Sequence, residues 1–174
     1  MMLFLMRHAK AKQGTPDDLR PLARRGIEDA TRIARFFSLI DLEIDEIWHS
    51  GLKRSLQTAR IIEGSRRREV ELREYKQLVP NGTVDHALKI VNATRGNVLV
   101  VGHEPLIGNL VCELLVGDYS AEILKIKTSC VLALRRKNDR WKLVWAIQPD
   151  LLQWMTVKAR TRHIQGERHV PPAQ

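Results

Sequence analysis

A three-layer α/β/α sandwich with a mostly parallel central sheet is the fold class this chain predicts, on three observations. Short runs that read as strands recur, at residues 3–6, 46–49 and 98–101, the first and last of them wholly apolar. Segments with helical periodicity separate them, the alternation expected of strand–helix–strand crossovers. Reactive side chains fall where the apolar runs stop, which in an open α/β sheet is the edge where ligands bind.

The elements follow in order. Residues 3–6 form the first strand, and a polar loop over 10–20 follows, where Gly14, Pro16 and Asp17-Asp18 oppose regular structure. Residues 21–39 read as a helix, with Ile27, Ala30, Ile33, Ala34 and Phe37 at helical spacing. A strand over 46–49 leads to a helix over 52–63, with Ser50 as a candidate N-cap. A short strand over 70–72 precedes a helix over 84–93, which Arg95-Gly96-Asn97 breaks. After the strand at 98–101, Pro105 suits the first turn of a helix reaching about residue 115, because its missing N–H is no loss there. Strands are expected at 122–126, 130–134 and 141–147, with Asn138-Asp139 as a hairpin turn. Residues 1–164 are expected to form one catalytic domain, and 165–174 a loose tail.

Bulk composition narrows the function. The chain has 174 residues, 44% hydrophobic and 28% charged, which fits one globular domain with a full core. Its longest apolar runs fall short of a membrane span or a signal-peptide core, so a cytoplasmic protein is expected. A net charge of +9 favours anionic partners, either a phosphorylated protein or a small phosphate compound. Nucleic acid fits the charge too, but the excess is spread over helix faces, Arg66-Arg67-Arg68 and the C-terminal segment, which are usually solvated. Cys112 and Cys130 have no CxxC or metal-ligand context and read as buried thiols. No metal is expected, because the histidines lack acidic or thiolate partners at ligand spacing. No cofactor is expected either, since the glycines form neither a Walker loop nor a dinucleotide fingerprint.

Four residues carry the chemistry. Arg7 and His8 end the first strand, His103 follows residues 98–102, and Arg54 opens a helix. A phosphoryl group in transfer spreads negative charge over its oxygens, so fixed cations must surround it. Arginine keeps its charge and offers a planar fork of donors. A neutral imidazole can attack phosphorus and form a covalent intermediate. Helix starts add backbone N–H groups directed at an anion. Taken singly, each residue has an ordinary structural reading. His49, His86, His163 and His169 have no motif around them, although His86 lies near the Asn81-Gly82 loop. Ser50 lacks a nucleophile elbow, and Trp141, Trp145 and Trp154 read as packing residues.

Three motifs carry a family resemblance. Leu5-Met6-Arg7-His8-Ala9-Lys10-Ala11, the segment from Ser50 through Arg54 to Gln57-Thr58-Ala59, and Val101-Gly102-His103-Glu104-Pro105 agree in order and spacing with the motifs of the histidine phosphatase superfamily. The chain therefore resembles the phosphoglycerate mutase-like fold over residues 3 to about 115. Within it, the chain looks like the small phosphohistidine phosphatase branch, the SixA type. It is short, it carries Arg20-Pro21-Leu22 before the first helix, and it has Ala9-Lys10 where many members have glycine. The resemblance implies that His8 is the nucleophile, that Arg7 and Arg54 clamp the phosphoryl oxygens, and that His103 stabilises the transferring group. Arg20 is implied as a substrate-binding residue at the rim, and Glu104 is a further substrate-binding candidate.

One departure bears on the substrate. Relatives acting on phosphate esters carry a carboxylic acid after the third strand. In residues 72–85 Glu74 and Asp85 are present, but neither matches the donor's usual position, and Glu104 is a further carboxylate. An alkoxide leaving group needs such an acid, worth roughly 10²–10⁴-fold, whereas imidazole leaves more easily. The expectation is a metal-independent phosphatase that hydrolyses phosphohistidine on a partner protein through a covalent intermediate on His8. The alternatives are a small-molecule or broad-specificity phosphomonoesterase using the same residues, and a binding module that holds phosphate or nucleic acid without turnover.

Overall fold

The computed structural model describes residues 1–153. The expected tail at 165–174, Trp154, His163 and His169 lie outside the described residues.

Six strands make one sheet: β1 (Met2–Arg7), β2 (Glu46–His49), β3 (Glu71–Glu74), β4 (Val98–Gly102), β5 (Val131–Lys137) and β6 (Arg140–Ile147), in the order β3-β2-β4-β1-β5-β6. The first four in that order run parallel, and β5 and β6 add an antiparallel hairpin at the β1 edge. Successive side chains on a strand face opposite ways. Leu3 and Leu5 therefore join a core with Val98, Val100, Leu106, Ile107, Leu110 and Val91. Phe4 and Met6 join a second core with Ile47, Leu99, Ile33, Phe37, Ala59 and Ile62. One core lies under α1 (Arg24–Leu39) and α2 (Lys53–Glu63), the other under α3 (Val84–Ala93) and α4 (Leu106–Val116). A strand covered on both faces reads as continuously apolar, which is why β1 and β4 are conspicuous in the sequence.

Several boundaries differ from expectation, each for a local reason. The first helix begins at Arg24 rather than residue 21, because residues 21–23 are spent on other partners. Pro21 C=O accepts from Lys12 N–H at 2.8 Å, Leu22 N–H donates to Gln57 Oε1 at 2.8 Å, and Ala23 N–H donates to Lys10 C=O at 2.8 Å. Gly26 then packs on the Lys10 backbone so closely that a Cβ would sit 2.1 Å from the Lys10 carbonyl oxygen. Ile27, expected in the core, is 49% exposed, because the inward face runs through Gly26, Ala30, Ile33, Ala34 and Phe37. Pro105 caps α4 from just outside it.

Residues 122–126 are not a strand. β5 already occupies the free edge of β1, and residues 122–126 pair with no strand of the sheet. Glu122 takes a left-handed conformation (φ 43°), and only Ile126 in the segment is buried. Asn138 and Asp139 do form the β5–β6 hairpin turn, with φ of 50° and 56°. Paired left-handed residues match the twist of a two-residue hairpin. Cys112 and Cys130 are buried free thiols.

Candidate active site

β1 and β4 are neighbours in parallel register, with Arg7 opposite Gly102. The residue following each strand is therefore a histidine at the same sheet edge, and the two rings lie 4.7 Å apart between centroids. His8 N–H continues the ladder by donating to Gly102 C=O at 2.9 Å. α2 and α4 both start at this edge, bringing Arg54 in the first turn of α2 to the same place. Arg7, His8, Arg54, His103, Arg20 and Glu104 all line one cavity of about 270 Å³, together with Lys10, Gln13 and Thr128. The structure thus brings all six residues singled out in the sequence together. Glu74 and Asp85 are exposed and do not line it, and neither does His86.

Each side chain is held by identifiable partners. His8 Nδ1 lies 2.7 Å from the Ala9 carbonyl. A carbonyl can only accept, so Nδ1 carries the hydrogen and Nε2 holds the lone pair. Burial pushes His8 down to about 4, the bond to Ala9 opposes this, and the positive charge of Arg54, Arg7 and Arg20 adds to it. His103 is 1% exposed and is pushed to about 3 by burial, then by His8 and Arg54. Both rings are accordingly neutral near pH 7. Arg7 Nη1 donates to Ile126 C=O at 2.8 Å, giving the irregular 122–126 segment a structural purpose that its sequence does not reveal.

Arg54 is 4% exposed. Its Nη1 donates to the Asp17 backbone carbonyl at 2.7 Å and its Nη2 pairs with the Asp17 carboxylate at 2.9 Å. The other Asp17 oxygen accepts from Arg20 Nη1 at 2.7 Å. These two guanidinium groups hold the Asp17 carboxyl below its usual range, the bond to Arg20 contributing most. Sequence reading missed Asp17, placing it only in a loop. Its acidic side chain, a few residues before Arg20, was the available signal. Glu104 is pushed up by burial, while Arg7 and the Gly108 N–H pull the other way.

The rest of the second motif serves as scaffolding. Thr58 Oγ1 accepts from Ala9 N–H at 3.0 Å and donates to Arg54 C=O at 2.7 Å. Ser55 Oγ donates to Val101 C=O at 2.7 Å and accepts from Ser50 N–H at 3.2 Å. Gln57 holds Leu22, as described above. These bonds lock the start of α2 to the ends of β1 and β4, which fixes Arg54 relative to both histidines. Ser50 is not the helix cap, since Leu52 occupies that position. The Ser50 hydroxyl instead meets His103 Nε2 at 2.7 Å. His49 is buried, and its Nδ1 accepts from Gly51 N–H at 3.1 Å. Among the described residues, no group of three or more His, Cys, Asp or Glu is placed to hold a metal ion, and no helix is long and apolar enough to cross a membrane.

Residues 3–78 match the histidine phosphatase superfamily (branch 1). The chain is 28% identical over 123 residues to phosphohistidine phosphatase SixA of Escherichia coli (strain K12), covering 68% of this chain and 76% of the relative. Among solved structures, the protein histidine phosphatase SixA complexed with tungstate superposes with a TM-score of 0.77 at 25% identity, covering 87% of this chain and 99% of the other. A phosphohistidine phosphatase SixA described as putative, from Nakamurella multipartitia, gives 0.74 at 26% identity, covering 85% of this chain and 95% of the other.

Proposed function

We propose, for a chain related to the histidine phosphatase superfamily, that the protein is a phosphatase working through a phosphohistidine intermediate on His8, with phosphohistidine on a partner protein as substrate. The observation that carries this reading is the tethered imidazole. With Nδ1 bound to the Ala9 carbonyl, the His8 lone pair is on Nε2, in a ring 4.7 Å from that of His103 and in a cavity lined by Arg7 and Arg54. A nucleophile that is neutral because its surroundings disfavour its charged form is ready near pH 7.

In the first step His8 Nε2 forms a bond to phosphorus while the substrate's P–N bond breaks. The departing nitrogen takes up a proton from solvent. Arg7 and Arg54 neutralise the phosphoryl oxygens, and His103 donates a hydrogen bond to one of them. In the second step water attacks phosphorus, the bond to His8 breaks, the water's proton passes to solvent or to the phosphate formed, and inorganic phosphate leaves with His8 neutral again. Arg20 and the exposed Lys10 offer positive charge at the rim to an acidic partner.

The substrate choice is supported by the names of the relatives and by residues 72–85, whose carboxylates Glu74 and Asp85 stay off the cavity. One observation favours ester substrates instead. Glu104 lines the cavity with its carboxyl pushed up by burial, as a proton donor to an alkoxide would need. A steady-state comparison of a phosphohistidine-bearing protein with sugar phosphates decides between them. A kcat/KM at least about tenfold higher on the phosphoprotein is expected, a preference of roughly 1.4 kcal/mol. A preference for sugar phosphates would overturn the substrate choice and leave the covalent mechanism standing.

A further inference from the structure

The Ser50–His103 contact adds a positioning residue to the reading just given, and rests on it. Ser50 is 3% exposed and His103 1% exposed, so neither side chain has ready access to bulk water for hydrogen bonding. Ser50 Oγ and His103 Nε2 are 2.7 Å apart. The other ring nitrogen, Nδ1, is buried with no partner among the described residues. Whatever His103 gives a phosphoryl oxygen must therefore come from Nδ1.

A neutral imidazole has one N–H and one lone pair to place on its two nitrogens. With the hydrogen on Nε2, it points at the Ser50 oxygen, the buried Ser50 hydroxyl hydrogen loses its acceptor, and the Nδ1 lone pair meets the phosphoryl oxygen. With the hydrogen on Nδ1, Ser50 donates to Nε2, and Nδ1–H donates to the phosphoryl oxygen. The second arrangement leaves no buried hydrogen unpaired, and a buried polar group left without a partner is costly. Ser50 is itself held by Ser55, which ties the loop to the end of β4.

We propose that Ser50 is a positioning residue: it donates its hydroxyl hydrogen to His103 Nε2 and so keeps the single His103 proton on Nδ1, available to the transferring phosphoryl group. It touches neither substrate nor the reacting atoms. Its effect is to make His103 a donor at the site rather than an acceptor.

The test reads the tautomer directly. Nitrogen-15 spectra of the imidazole rings, taken without phosphate so that no anion holds the Nδ1 hydrogen, should show His103 protonated on Nδ1 in the unsubstituted protein and shifted toward Nε2 in Ser50→Ala. Removing a group that acts in the transition state lowers kcat rather than raising KM. Ser50→Ala should therefore lose about tenfold in kcat, with KM within about twofold. Ser50→Thr keeps a hydroxyl and should recover most of the loss. A His103 proton found on Nε2 in the unsubstituted protein overturns the proposal, and this reading needs no variant to fold. So does a folded Ser50→Ala protein with undiminished kcat. If the unsubstituted protein hydrolyses no phosphate compound at all, the phosphatase reading fails instead, whatever the tautomer.

Discussion

Two arginine-lined cavities lie at opposite ends of the parallel strands, and only one is suited to a phosphoryl group. The cavity of about 270 Å³ at the C-terminal edge contains Arg7, Arg20 and Arg54 beside two histidines. A larger one, about 480 Å³, contains Arg66, Arg67 and Arg68 together with Asp41, Glu43, Asp45 and Glu69. The first sits where α2 and α4 begin, so free backbone N–H groups add to the positive field. The second follows the C-terminal ends of α1 and α2, the negative ends of the helix dipoles, which work against an anion. Its acids outnumber its arginines, and Arg67 and Arg68 are exposed. Arginine count and cavity size therefore do not identify the site. Helix polarity and buried anchoring set the first cavity apart as the one suited to an anion.

Substitutions should separate the two ends sharply. His8→Ala should fold normally and lose at least about 10³-fold in turnover, the scale of removing a covalent nucleophile. Substantial activity in that variant, measured after purification away from other phosphatases, would reject the intermediate. Arg54→Ala should cost about 10²-fold in kcat/KM, as expected for one fixed donor to developing charge, while Arg67→Ala at the far cavity stays within about twofold. Equal losses at both ends would erase the distinction.

Acid should reveal the same contrast. An exposed histidine titrates near 6.5, but His8 lies near 4 and His103 near 3 in the folded protein. Between about pH 4 and 6.5 the unfolded chain binds more protons than the folded one. The stabilising contribution of keeping these rings neutral in the native state is thus complete above about pH 6.5 and falls as pH drops through that window. Denaturant midpoints measured from pH 7 to pH 4.5 should decline, and His8→Gln should decline less. The acid limb of kcat/KM should fall near pH 4 rather than near 6.5.

Asp17 gives the smallest effect. Its carboxylate bridges Arg54 and Arg20 and so competes with any phosphoryl oxygen for Arg54. Asp17→Asn should tighten competitive inhibition by orthophosphate by about threefold, the scale of an exposed ion pair. Weaker inhibition would mean that Asp17 orients the arginines more than it competes for them.

β1 and β4 were legible because burial on both faces forces continuous apolar runs, as in residues 3–6 and 98–101. The four central site residues were legible because they follow such runs or open a helix. Ile27 and residues 122–126 misled for one reason: an apolar side chain shows that burial would be favourable, not that a partner surface is present.

The sequence alone determined which side chains could bind and attack a phosphoryl group, because their chemistry belongs to the residue types and their order along the chain. Only the tertiary structure decided how those groups are poised. The Ala9 carbonyl frees His8 Nε2, Asp17 sits between Arg54 and Arg20, and Ser50 faces His103 instead of capping a helix. Protonation and charge balance depend on distances of a few ångströms, in the last two cases between residues up to 53 positions apart. Such distances exist only after the strands have paired.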